Sequence, residues 1–249
     1  MGQEKHVPLL SIIVPTLNEE KIIGETLSRI KTGLHVPHEI IVSDGGSTDS
    51  TLEMTAGLAD QIVRHEKPSR QTIAEGRNAG ARIARGSFFV FLDADCAILE
   101  PDAFFQKTLK TFAEDKRVVA LSVRLRVLPK YETQGDRFML GLICLGVRFK
   151  NNVLHRGEAM GGEFQMIRAD AFRAVKGYRE DLVTREDSDM FFRLSRIGKT
   201  IFNANISVFH TGRRAHTLGW PRLVLDFFVN TIYLALFHKT HTKDWKVIR

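Results

Sequence analysis

Phe88-Phe89-Val90-Phe91-Leu92-Asp93-Ala94-Asp95 is the stretch on which the reading of this chain turns. The apolar run reads as a fully buried strand, and it ends on two carboxylates one residue apart, where the backbone leaves the core. Negative charge at such a place is costly unless something positive neutralises it. A hard divalent cation shared with phosphates suits the pair, because Mg²⁺ and Mn²⁺ favour carboxylate oxygens. Taken alone, the two acids read more simply as a solvated turn. The surrounding sequence decides between these.

Upstream, Leu9 to Pro15 is a short apolar strand, and Asn18 is placed to cap a helix carrying Ile23, Leu27 and Ile30 on one face. Glu39 to Asp44 is a second strand, closed by Gly45-Gly46-Ser47-Thr48-Asp49-Ser50. Gln61 to His65 is a third, and Thr72 to Ala84 is helical. Downstream, a helix after Pro101 aligns Phe105, Leu109 and Phe112, and Val118 to Val127 is again a strand. This alternation predicts an α/β fold with a mostly parallel central sheet and helices on both faces. Ligands of such sheets bind beyond the carboxyl ends of the strands, where Pro15, Asp44 and Asp93 to Asp95 all fall.

Further on, Phe138 to Phe149 is an apolar helix or docking segment. Gly161 to Arg168 is a glycine loop followed by a strand, and Asp170 to Val175 a short helix ended by Gly177. Ser188 to Arg196 is a helix with Glu186-Asp187 at its N-terminus, where negative charge is favoured. Thr200 to His210 is the last strand. Leu223 to Phe237 is apolar but for Asp226, Asn230 and Thr231, short of the roughly 20 residues of a spanning helix. It is expected either to dock on the sheet or to lie in a membrane interface. The organisation is thus one domain, 1–214, with a basic helical extension, 215–249.

The chain has 249 residues, 43% hydrophobic and 26% charged, an ordinary globular composition. Cys96 and Cys144 make no disulfide framework and suit a reducing compartment such as the cytoplasm. Met1 to Pro8 lacks the apolar core of a signal peptide. Eight Lys/Arg against two Asp from Lys199 onward place +6 of the net +7 in the last fifth. Such an end can meet anionic lipid or a phosphate-bearing substrate, or be simply a solvated face. Nucleic acid is not expected, since no motif for it is present. No G-x-G-x-x-G follows a strand, which excludes a dinucleotide dehydrogenase.

The pieces Ile12 to Glu20, Glu39 to Asp49, Gly76-Arg77-Asn78-Ala79-Gly80 and Phe91 to Asp95 come in a distinctive order. They are followed by Gly161-Gly162 with Arg168, Gly177-Tyr178, and Glu186-Asp187 with Arg193-Leu194. Together these resemble the family 2 glycosyltransferases, which have the GT-A fold, over about Leu10 to Arg214. The resemblance implies a nucleotide-diphospho-sugar donor carrying UDP or GDP and a sugar or lipid-linked (polyprenyl-phosphate) acceptor. It also implies a divalent cation, Mn²⁺ or Mg²⁺, and inversion at the anomeric carbon. It places Pro15, Glu19 and Asp44 at the base and ribose, and Arg77 near the diphosphate. Asp93 and Asp95 become the metal pair, with His210 a further ligand. Gly161 and Gly162 would frame the donor sugar, and Arg213 and Arg214 close over the diphosphate. Glu186-Asp187 is the acidic pair whose aspartate is the base. Glu163 departs from the small polar residue expected after the glycines, which leaves the sugar open.

Each residue also has a plainer reading: Asp44 as a turn cap, Arg77 as a solvated helix arginine, His210 as structural, Glu186-Asp187 as an acidic helix start. In other function classes stand a non-catalytic nucleotide-sugar-binding subunit of a membrane complex and a sugar-nucleotide pyrophosphorylase. The intact acids argue against the first. The second expects a glycine-rich loop where Pro15 to Glu19 stand.

Overall fold

Why these residues make this sheet is visible in their alternation. In the computed structural model, which describes residues 7–242, β1 (Leu10–Thr16) turns Leu10, Ile12 and Val14 to one face and Ile13 to the other. Strand β4 (Phe88–Leu92) does the same with Val90 and Leu92 against Phe89 and Phe91. Each face therefore needs its own cover of helices.

One face is covered by α1 (Ile23–Gly33), α4 (Pro101–Glu114) and α5 (Gln134–Asn152), through Ile23, Leu27, Phe105, Phe112 and Val147. The other is covered by α3 (Ile73–Ile83), α6 (Ala169–Ala174) and α7 (Glu186–Leu194), through Ala74, Ala81, Phe172, Met190 and Phe191. Short α2 (Thr51–Thr55) leads to the edge strand β3 (Gln61–Arg64), and α8 (Arg213–Leu218) leads to α9 (Trp220–Phe237).

With β2 (His38–Asp44), β5 (Cys96–Ala97), β6 (Val118–Val127), β7 (Phe164–Arg168) and β8 (Lys199–His210), the strand order is β3-β2-β1-β4-β7-β6-β8-β5. The expected parallel run holds from β3 to β4, and β6 pairs with β8 in parallel. The sheet as a whole is mixed, because β7 runs antiparallel to β4 and β6, and β5 to β8. Reversing β7 brings Gly161 and Gly162, just ahead of it, to the same edge as Asp93. Pairing Cys96 with His210 brings the end of β8 beside the two aspartates.

One expectation about the elements is corrected. Asn18 does not cap α1, whose N-cap is Ile22; Asn18 sits at φ 55° and accepts from Thr48 N–H at 2.8 Å, shaping the loop beside β2. The expected domain boundary at residue 214 falls inside α8, and α9 walls the same cavity as the sheet. Of the two placements open to α9, docking on the sheet is not the one adopted: only Leu223 and Asn230 on it are buried. Of the basic C-terminal run, Lys243, Lys246 and Arg249 lie outside the described residues, as does most of the N-terminal stretch read for a leader.

Candidate active site

At the carboxyl ends of β1 and β4 lies a cavity of about 610 Å³. Pro15, Glu19, Gly45, Gln71 and Gly76 line one part, Asp93, Asp95, His210 and Arg213 another, and Glu186 and Asp187 a third. Elements far apart in sequence thus supply one wall.

Arg77 is the hub. Its side chain is 1% exposed, on the face of α3 turned to the sheet. Nη1 donates to Glu186 Oε1 at 2.8 Å, and Nη2 to Asp93 Oδ1 at 3.1 Å and to the Gly162 carbonyl at 2.8 Å. Burial works against its charge, but the carboxylates of Asp93 and Glu186 beside it hold it firmly cationic. The solvated-arginine reading is therefore wrong, and a diphosphate contact would require exchanging one of these bonds. Gly162 is glycine for the same reason: a Cβ there would stand 2.4 Å from Arg77 Nη2. The neighbouring Asn78 bonds both the amide and the carbonyl of Tyr178 at 2.9 Å, locking the loop before α7 to α3.

Burial raises the Asp93 carboxyl, Asp95 adds to the rise, and Arg77 opposes it. Asp95 accepts from Thr211 Oγ1 at 2.5 Å and lies 3.2 Å from Arg213 Nε. Arg213 also forks onto Glu19, at 2.9 and 2.7 Å. Glu163 is pushed up to about 8 by burial and by Asp93 and Asp95. Glu186 is likewise raised by burial and by Asp187, against Arg77. A crowd of carboxylates that raise one another in this way favours a cation.

His210 tests whether a metal fits. Burial lowers its pKa despite Asp95 and Asp93, so the imidazole is neutral, as a ligand must be. Its Nε2 is buried without a partner among the described residues, and it lines the cavity. Nδ1 accepts from Gly212 N–H at 3.2 Å, which leaves the proton on Nε2. Ligation through Nε2 would release that proton and the Gly212 contact; donation to a phosphate oxygen would need neither. The described residues hold no group of three or more His, Cys, Asp or Glu set to bind a metal unaided, so phosphate or water oxygens would complete any shell.

Other expected residues are placed differently. Asp44 has no exposed surface and is not on the cavity wall; it accepts from Gly46 N–H and from Ser47 N–H and Oγ, so it shapes the turn, while Gly45 reaches the cavity. Arg168 donates to the carbonyls of Val118 and Phe112, a structural role. Arg214 lines the cavity beside Arg213, and Gly161 beside Gly162. Asp187 is half-buried on the wall, its Oδ1 accepting from Ser188 N–H at 2.7 Å. Nothing in residue type or spacing pointed to Thr211, or to Lys150 and Arg185, which both reach the cavity and pair with Glu158 at 2.6 and 3.1 Å. Arg185 was legible only as a neighbour of Glu186; its φ of 62° is a tertiary fact.

The family model for glycosyl transferase family 2 matches residues 11–176. The chain belongs to that family. The succinoglycan biosynthesis protein ExoA of Rhizobium meliloti (strain 1021) is 27% identical over 205 residues, 77% of this chain and 59% of that protein. Among solved structures, the mannosyltransferase PcManGT from Pyrobaculum calidifontis, in complex with GDP-Man and Mn²⁺, superposes with a TM-score of 0.72 at 21% identity. It covers 98% of this chain and 66% of its own. Glucosyl-3-phosphoglycerate synthase from Mycobacterium tuberculosis, in complex with Mn²⁺, UDP and glucosyl-3-phosphoglycerate, gives 0.57 at 18%, over 85% and 75% of the two chains. These neighbours establish the GT-A architecture. The chain spans less than two thirds of the first curated relatives it matches.

Proposed function

We propose that this family 2 member transfers a sugar, with inversion, from a UDP- or GDP-sugar to a hydroxyl or polyprenyl-phosphate acceptor, using a divalent cation. The observation that carries the reading is the joining of Asp93, Asp95, His210 and Arg213 to Asp187 across one cavity. That the solved neighbours hold Mn²⁺ with a GDP-sugar or with UDP supports the donor class and the cation.

In this reading the base and ribose lie along Pro15, Glu19 and Gly45, and the diphosphate lies toward Arg213 and Arg214. Asp95, with Asp93 and His210, would hold Mn²⁺ or Mg²⁺, which supplies positive charge to the leaving diphosphate. Arg77 keeps Asp93 and Glu186 fixed from below. For a hydroxyl acceptor, Asp187 takes the proton as the oxygen bonds to the anomeric carbon and the bond to the diphosphate breaks, its electron pair leaving on phosphate. A phosphate acceptor arrives ionised and needs no base. Two buried free cysteines support a reducing compartment, the cytoplasm or its membrane surface.

The test is a thermal-shift panel of UDP, GDP, CDP and dTDP, each with Mn²⁺, Mg²⁺ or EDTA. One diphosphate stabilising only with metal supports the reading and names the base. No response to any overturns the reading, and with it the nucleotide-sugar-binding subunit, since both require a nucleotide site.

A further inference from the structure

Helices α5 and α9 each turn one face to the body and leave an apolar stripe on the other. On α5, Asp136, Cys144, Val147 and Asn151 are buried. Opposite them Phe138, Leu142, Leu145, Phe149 and Val153 follow at helical spacing, 49% to 66% exposed. On α9, Leu225, Phe228, Ile232 and Leu236 form a second stripe, 42% to 67% exposed. Apolar surface this extensive marks an interaction face. The same helices wall the cavity from within, α5 with Leu140, Ile143 and Val147, α9 with Leu223, Val224 and Phe227.

Cations border the stripes: Arg148 on α5, and Arg222 and Lys239 at the two ends of α9, while Arg137 on α5 is paired with Glu132 at 2.7 Å. The acids within the two helices are Asp136, which is buried, and Asp226. We propose that α5 and α9 form a docking surface for an anionic bilayer, lying in the headgroup plane, with the cavity between them taking a lipid-linked acceptor from that bilayer. A second copy on this face would bring like charges together, whereas anionic headgroups complement them. The apolar stripes enter the acyl boundary and the arginines meet phosphates. Although α9 is long and apolar enough to cross a membrane, its end is tied to the body by Arg179 Nη2 donating to the His238 carbonyl at 2.7 Å, and the segment after it folds back on the helix, Asn230 Nδ2 donating to Thr242 Oγ1 at 2.8 Å. Docking stands apart from the transferase reading; the lipid-linked acceptor rests on it.

Co-sedimentation of the full chain with phosphatidylcholine vesicles, with and without phosphatidylglycerol, tests the docking. Binding should favour the anionic vesicles by about tenfold or more, from charges each worth about fivefold near the surface. Leu145→Glu with Phe228→Glu should abolish binding without moving the melting temperature, and Arg148→Glu should cost the anionic preference about fivefold or more. Unchanged binding by both variants, or binding to neither vesicle, overturns the proposal. So does a dimer in sedimentation velocity that Leu145→Glu dissociates, or vesicle-bound protein that resists an alkaline carbonate wash, which would put α9 across the membrane. A nucleotide response without vesicle binding sinks docking alone. Vesicle binding without a nucleotide response upholds docking and removes the acceptor from it.

Discussion

Arg77 shows how much one side chain can decide. It is the shared partner of Asp93 and Glu186, and Gly162 lacks a Cβ to admit it. Arg77→Met should cost about 3 kcal/mol in urea unfolding, because the buried Glu186 and the half-buried Asp93 lose their cation. Adding Glu186→Gln should recover part of that loss. Asp187 is the contrasting case, chemical rather than structural. If the acceptor is a hydroxyl, Asp187→Asn should lower kcat by about 10²–10⁴ and leave nucleotide affinity unchanged. Full transfer by that variant would remove it as the base. Asp95→Ala should abolish metal-dependent nucleotide binding, read by calorimetry with Mn²⁺ against EDTA. At this scale the sequence was partly legible: Asp93 and Asp95 stood out by residue type and strand-end position, whereas Asp187 was named only through the family resemblance. What Arg77 does was not legible, because its burial and partners come from residues 16 to 109 positions away; the turn-cap reading of Asp44 was local, its donors two and three positions on.

At the scale of elements, the first turn of α5 ties three helices together. Asp136 accepts from Thr133 in a capping box, from His216 of α8 at 2.8 Å and from Trp220 of α9 at 2.8 Å. Burial alone would raise its pKa, but these hydrogen bonds outweigh it and bring the carboxyl from 3.8 to about 2. The unfolded chain then binds more protons between about pH 4 and 2, so stability is present above that window and lost as pH falls through it. Asp136 should contribute about 2 kcal/mol there, seen as a pH-dependent difference in unfolding free energy that Asp136→Asn flattens. Close packing positions α7 as well. A Cβ on Gly157 would stand 1.8 Å from the Phe191 carbonyl. Gly157→Ala should therefore shift α7, cost about 1–3 kcal/mol and lower kcat by moving Asp187. Most elements were legible from hydrophobic period alone, from β1 to α7. The reversal of β7 was not, because a short apolar run reads the same in either direction.

Across the whole molecule, the cavity exists because a mixed sheet gathers the ends of β1, β4 and β8 with the turns before β7 and α7. A nucleoside diphosphate at about 100 times its Kd, with its cation, should stabilise the fold by about 2.7 kcal/mol and raise Tm by roughly 2–4 °C. EDTA should erase that rise while leaving the unliganded protein unchanged.

By itself the sequence determined the α/β class, the order of the motifs and the acids at the strand ends, because periodicity and residue chemistry are local. Tertiary structure alone decided that Arg77 is a buried clamp, that Asp44 stays off the cavity wall, that His210 presents a buried nitrogen to the cavity, and that α5 and α9 turn apolar stripes outward. Those are properties of which surfaces meet, and surfaces meet only once the strands have chosen their neighbours.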